Sequence, residues 1–118
     1  MIRIYGASDD LVEFEGDVTG EVGCYGVPVL IRVGSDEAGL RIVASYAAYA
    51  EEFGSDAPGW AFGVATVNGN GSGDDDEGKI PWPVRIERER YSTAIVIDCP
   101  PGTPVAYRLD SGDWKVPS

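Results

Sequence analysis

The feature that most constrains this chain is its punctuation. Short runs of alternating apolar and polar residues recur, and clusters of Gly, Pro, Asp or Asn end them at intervals of about eight to twelve residues. A period of two places successive side chains on opposite faces of a strand, so each run suits a sheet with one covered face. No long helical period competes. The pattern predicts strands over Met1–Tyr5, Leu11–Glu15, Pro28–Val33, Leu40–Tyr46, Trp60–Val67, Val84–Tyr91, Ser92–Cys99 and Val105–Leu109. The run from Val84 to Cys99 reads as one long bent strand or as two strands joined near Tyr91.

Within these runs the alternation assigns faces. Val12 and Phe14 point one way, and Glu13 and Glu15 the other. Val84 and Ile86 point inward with Arg85, Glu87 and Glu89 outward, and Thr93, Ile95, Ile97 and Cys99 share a face with Ala94 and Val96 behind. Pro28–Val33 is nearly all apolar, which predicts cover on both faces. Trp60, Phe62 and Val64 oppose Ala61, Gly63 and Ala65, whose small size leaves room for a close approach.

The connections are equally legible. Gly6-Ala7-Ser8-Asp9-Asp10 closes a hairpin, since Gly tolerates positive φ and Ser and Asp side chains bond nearby backbone amides. Gly16–Val27, with four glycines, reads as loop or irregular edge. Ala47–Phe53 stays open between strand and a short helix ending at Gly54. Asn68–Gly78 is low-complexity Gly, Asn and Asp, and reads as a flexible acidic loop. Pro81-Trp82-Pro83 then enters the next strand, with prolines that suit an edge, and Trp114 reads as an anchor folded back after Ser111-Gly112-Asp113. The expected fold is mainly β: one domain over 1–118, an antiparallel sandwich or partly open barrel of seven or eight short strands, with at most one short helix near 47–53.

Charge narrows the partners. Twenty acidic residues against nine basic give a net charge of −11, a field that repels nucleic acid and anionic membranes and attracts cationic protein surfaces. The same charge also serves plain solubility. No apolar run approaches the ~18 residues of a membrane span. Met1 leads straight into a strand pattern without a signal peptide, and Cys24 and Cys99 show no paired spacing, so reduced thiols in a bacterial cytosol are expected.

The stretch Gly6-Ala7-Ser8-Asp9-Asp10-Leu11-Val12-Glu13-Phe14-Glu15-Gly16-Asp17 resembles the opening of an uncharacterised family of small acidic proteins from actinobacteria and their phages. Gly39-Leu40-Arg41-Ile42, Gly59-Trp60 and Tyr91-Ser92 are fainter echoes, whereas the Ala-rich middle and Cys99-Pro100-Pro101 depart from it. No activity comes with the resemblance. What it implies is a GC-rich actinobacterial or phage gene, and the seven Arg against two Lys agree.

Catalytic chemistry finds little footing. The chain has no histidine, which removes the commonest general base and the usual zinc ligand, and with it the activating partner of Ser or Cys nucleophiles. Asp74, Asp75, Asp76 and Glu77 are hard oxygen ligands, but they lack the alternate spacing and central Gly of a calcium loop. Asp9 and Asp10 are weaker metal candidates that read first as turn chemistry. No cofactor is expected. Surplus aromatics point instead to an interaction surface: Trp82, expected exposed with a lid over an open sheet end as its alternative, joined by Tyr49, Glu51, Glu52 and the acids Asp74 to Glu77. The resulting reading is a non-enzymatic acidic module that docks on a basic surface of a host protein, such as a nucleic-acid-processing or defence enzyme inhibited by a phage product. A structural or self-assembling β module, and a metal-dependent enzyme using clustered carboxylates, are the alternatives.

Overall fold

The structure is a computed structural model and describes residues 1–35, 37–47, 59–66, 81–88, 93–109 and 112–117. The described residues form a β sandwich of nine antiparallel strands, with no helix among them. β1 (Ile2–Ser8), β2 (Leu11–Gly16) and β3 (Gly20–Gly23) form a meander. β4 (Val29–Gly34), β5 (Gly39–Ala47) and β6 (Gly59–Thr66) form a second. β7 (Val84–Arg88) and β8 (Thr93–Ile97) return to the first sheet, and β9 (Val105–Leu109) crosses to the second. The five-stranded sheet runs β3-β2-β1-β8-β7 and the four-stranded sheet β6-β5-β4-β9.

The alternation in the sequence becomes the two inner faces. Ile2, Ile4, Val12, Phe14, Val22, Ile95 and Ile97 from one sheet meet Val29, Ile31, Val33, Leu40, Ile42, Ala44 and Val105 from the other, all buried in one cluster. Phe14 packs on Tyr107 with centroids 6.1 Å apart, which places β9 over β2. At the other side β6 lies over β1 and β8: the Trp60 ring fills the space beside Gly6, and its Nε1 donates to the Ser8 carbonyl at 2.7 Å.

Several expectations change. The ninth strand is β3, whose four residues (GEVG) are too short and glycine-rich to announce a strand, and which pairs as the edge beside β2. The Val84–Cys99 stretch is two antiparallel strands rather than one bent strand, and two separate sheets replace the barrel alternative. Ala47 ends β5, and the rest of the 47–53 segment lies outside the described residues, as does the 68–78 acidic loop. Ile86 shares the inner face with Ile95 but is 45 % exposed, because β7 is the edge strand beyond the reach of β6. Gly63 has open space where its side chain would be, so nothing among the described residues approaches it; the close approach is at Gly6.

The tryptophans divide the ends and a face between them. Trp60 seals the end holding the β1–β2 turn. Trp82 is half-buried against the core, with Cη2 2.9 Å from where a Gly34 side chain would start, so it lids the opposite end at the β4–β5 turn instead of standing exposed. The physical reason is local: Pro83 fixes the chain beside β8, its carbonyl accepting from Asp98 N at 2.9 Å, and this aims the preceding indole across the sandwich. Trp114 folds back as expected, through paired backbone bonds of 2.8 Å between Tyr107 and Lys115.

Candidate functional site

The outer face of the five-stranded sheet is built by strand register. One row across all five strands reads Glu21, Glu13, Tyr5, Ala94, Glu87. The next reads Glu15, Arg3, Val96, Arg85, with Asp98 just past the end of β8. Five carboxylates (Glu13, Glu15, Glu21, Glu87, Asp98) therefore share this face with two guanidiniums (Arg3, Arg85).

Arg3 lies 3.7 Å from both Glu15 and Glu87, and Arg85 lies 3.4 Å from Glu87 and 3.7 Å from Asp98. Exposed pairs of this kind contribute roughly 0.2–1 kcal/mol each. Their placement matters more than their strength. The Arg3–Glu87 pair joins β1 to β7 and so spans the intervening β8, roofing Ala94 and Val96, which are 2 % exposed on a nominally outward face.

Glu13 and Glu21 are direct cross-strand partners. Opposed side chains stand about 4.5–5.5 Å apart at Cβ, and like charges there are destabilising. No ion pair relieves either acid among the described residues. Beside them, Tyr5 carries the Arg3 guanidinium 4.8 Å over its ring. Its hydroxyl is held well above the ordinary phenol range, chiefly by hydrogen bonding to Glu15 together with desolvation and Glu13.

The outer face of the four-stranded sheet has the opposite sign. Arg32 and Arg41 are direct cross-strand partners, and Arg108 sits diagonally on β9. Trp114 covers this side of β4 with the Arg32 Cζ 4.7 Å and the Arg108 Cζ 5.0 Å from its ring centroid. This is the second cover that the apolar Pro28–Val33 run called for, and Leu30 and Arg32 are half-buried beneath it. These side chains line a cavity of about 310 Å³ together with Val43, which is 42 % exposed. Among the described residues, Arg108 Nε is the one buried side-chain nitrogen or oxygen with no hydrogen-bond partner. A buried donor left unmet costs about 1–3 kcal/mol or more on a charged group.

Of the residues singled out in the sequence, Tyr49, Glu51, Glu52, Asp74, Asp75, Asp76 and Glu77 lie outside the described residues. Asp9 and Asp10 are exposed in the β1–β2 turn, where Asp10 Oδ1 accepts from Ser8 Oγ at 2.8 Å and the Asp10 carbonyl accepts from Cys24 N at 2.8 Å. That is turn chemistry. Among the described residues no group of three or more Cys, Asp or Glu is placed to hold a metal.

Both cysteines are buried and free. Cys24 bonds to the β1–β2 turn, whereas the Cys99 carbonyl accepts from the Met1 amine at the other end of β1. At a rise of about 3.3 Å per residue the two are roughly 20 Å apart, far beyond disulfide reach.

The arginine cavity escaped the sequence reading. Its one signal was Arg32, a charge in an otherwise apolar strand. Among the described residues no helix is long and apolar enough to cross a membrane. Comparison with family models, with curated proteins and with solved structures finds no match for this chain.

Proposed function

We propose that this chain is a non-enzymatic acidic binding module whose five-stranded outer face docks on a basic surface of another protein. The observation that supports it is the Glu13–Glu21 pair, two like charges opposed across adjacent strands with no ion pair to either among the described residues, beside the amphipathic Tyr5. A sheet selected for stability alone would place a cation there. A cationic partner would turn that repulsion into attraction, with Tyr5 as the aromatic anchor among charges that steer encounter. With the resemblance to phage and actinobacterial proteins, the reading extends to a phage-encoded inhibitor of a host nucleic-acid-processing or defence protein in the bacterial cytosol.

The test is affinity capture from an actinobacterial lysate using the native chain and a Glu13→Lys/Glu21→Lys variant, at low and moderate salt. The expected result is a partner held by the native chain, weakened by salt and lost with the variant. Equal capture by both chains would overturn the reading.

A second reading, a self-assembling β module, draws on the opposite signs of the two outer faces. Head-to-tail contact of those faces would give salt-sensitive growth in light scattering. A monomer at all concentrations would dismiss it.

A further inference from the structure

We propose that the free edge of β3 is a strand-addition site for an extended segment of the partner protein, with cationic residues at alternate positions. The site rests on the reading of the acidic face as a docking surface, and it specifies what is received there. β3 closes one end of the five-stranded sheet, and no described strand pairs with its outer side. Cys24 N donates to the Asp10 carbonyl at 2.8 Å, so these two residues are a hydrogen-bonded pair that extends the β2–β3 register. Such pairs alternate along an antiparallel ladder, which makes Leu11–Gly23 and Glu13–Glu21 the non-hydrogen-bonded pairs. The N–H and C=O groups of Glu21 and Gly23 therefore point away from β2, and no backbone bond from a described residue meets them. Unpaired edge groups of this kind are the template on which an added strand docks.

The side chains beside this edge decide what arrives. Val22 and Cys24 are buried, so Glu21 and Gly23 face outward with Glu13. Tyr25 leans over Gly23, where an added Cβ would lie 3.2 Å from Tyr25 Cε2, yet Tyr25 is 83 % exposed. It stands at the first central position of the Cys24–Val27 turn, closed by Val27 N donating to the Cys24 carbonyl at 3.0 Å. Both central residues have positive φ, 48° at Tyr25 and 87° at Gly26. That type I′ geometry favours Asn, Asp or Gly at the first position, so the turn itself does not account for a tyrosine. On an antiparallel added strand, the residue opposite Glu21 shares its face, where a Lys or Arg meets the carboxylate. The residue opposite Gly23 meets the Tyr25 ring, which suits a second cation, and the residue between them turns inward beside Val22 and is apolar. A second copy is a poor occupant, because β3 against β3 brings two Glu21 side chains onto one short face of chains that each carry −11.

The probe is a short peptide alternating Arg and Val, compared with versions N-methylated at the arginine or at the valine backbone nitrogens. All three carry the same charge. Only the arginine nitrogens face β3, so valine methylation controls for chain stiffness. The readout is the amide resonances of Glu21 and Gly23 in the full chain. Saturable shifts and slowed exchange are expected with the unmodified and valine-methylated peptides. Arginine methylation should weaken binding about tenfold or more, since it removes the donors that reach β3. Tyr25→Asn suits the turn and should fold at least as stably, while binding the unmodified peptide roughly two- to fivefold more weakly. Equal affinity of the three peptides, or of Tyr25→Asn and the native chain, would overturn strand addition and leave the acidic-face reading standing. No saturable shift with any peptide would overturn it as well, and the lysate capture then judges the acidic face separately. Movement of these amides with protein concentration alone would overturn it by giving the edge to a second copy.

Discussion

The indole of Trp60 occupies the place where a side chain at Gly6 would have to stand: a Cβ there would lie 1.7 Å from Trp60 Cδ1. The same indole donates its N–H to the Ser8 carbonyl at 2.7 Å, and its ring meets Tyr46 edge-on at 5.7 Å. Gly6 is therefore required by the opposite sheet, not by its own backbone conformation, and the pair fixes how β6 sits over β1.

Gly6→Ala should destabilise by about 1–3 kcal/mol or more, because the indole can yield only by leaving its hydrogen bond. Trp60→Phe should cost at least about 1 kcal/mol through the unmet Ser8 carbonyl. Urea unfolding of both variants and their combination checks this. The double variant should cost less than the sum, since the smaller ring makes room for the methyl group.

Glu21→Lys should raise stability by roughly 0.2–1 kcal/mol, because it converts a repulsive cross-strand pair into an attractive one. The same change should weaken capture of a basic partner. Thermal melting at low salt checks the first effect, and the gain should shrink as salt is added. A loss of stability would show that Glu21 is placed for packing and not for charge.

Tyr5 should titrate above the ordinary phenol range in the near-ultraviolet phenolate signal. Its folded-state value lies above the ordinary 10.0, with hydrogen bonding to Glu15 as the largest cause. At pH values between the two, the folded state binds the extra proton, so stability falls as pH rises. The contribution is fully present below about pH 10 and is lost as pH climbs through the higher folded value. Tyr5→Phe should remove that part of the alkaline slope.

Cys24 and Cys99 should form no intramolecular disulfide under mild oxidant, and both should react slowly with alkylating reagents until the chain unfolds. Burial pushes the Cys24 thiol up, which lowers its thiolate fraction as well as its access. Mass spectrometry of the folded and urea-unfolded chain, without reductant, measures both outcomes. Rapid alkylation of Cys24 in the folded state would contradict its placement.

The alternation of the sequence determined which residues face the core: Val12 and Phe14 lie in and Glu13 and Glu15 out, as a period of two requires whatever the strand order. Turn chemistry likewise placed the Ser8–Asp10 corner and the return of Trp114, because those interactions span few residues. Only the tertiary structure decided what lies beside what. That β8 sits between β1 and β7 lets Arg3 reach Glu87 over Ala94 and Val96. That β4 sits between β5 and β9 gathers Arg32, Arg41 and Arg108, which are far apart in the chain, around one cavity. Trp82 turned inward for the same kind of reason, since Gly34 left a space that its own neighbours could not announce. Alternation is a local property of an extended backbone, whereas strand order follows from how two sheets close over one core, and the site chemistry of this protein resides in that second choice.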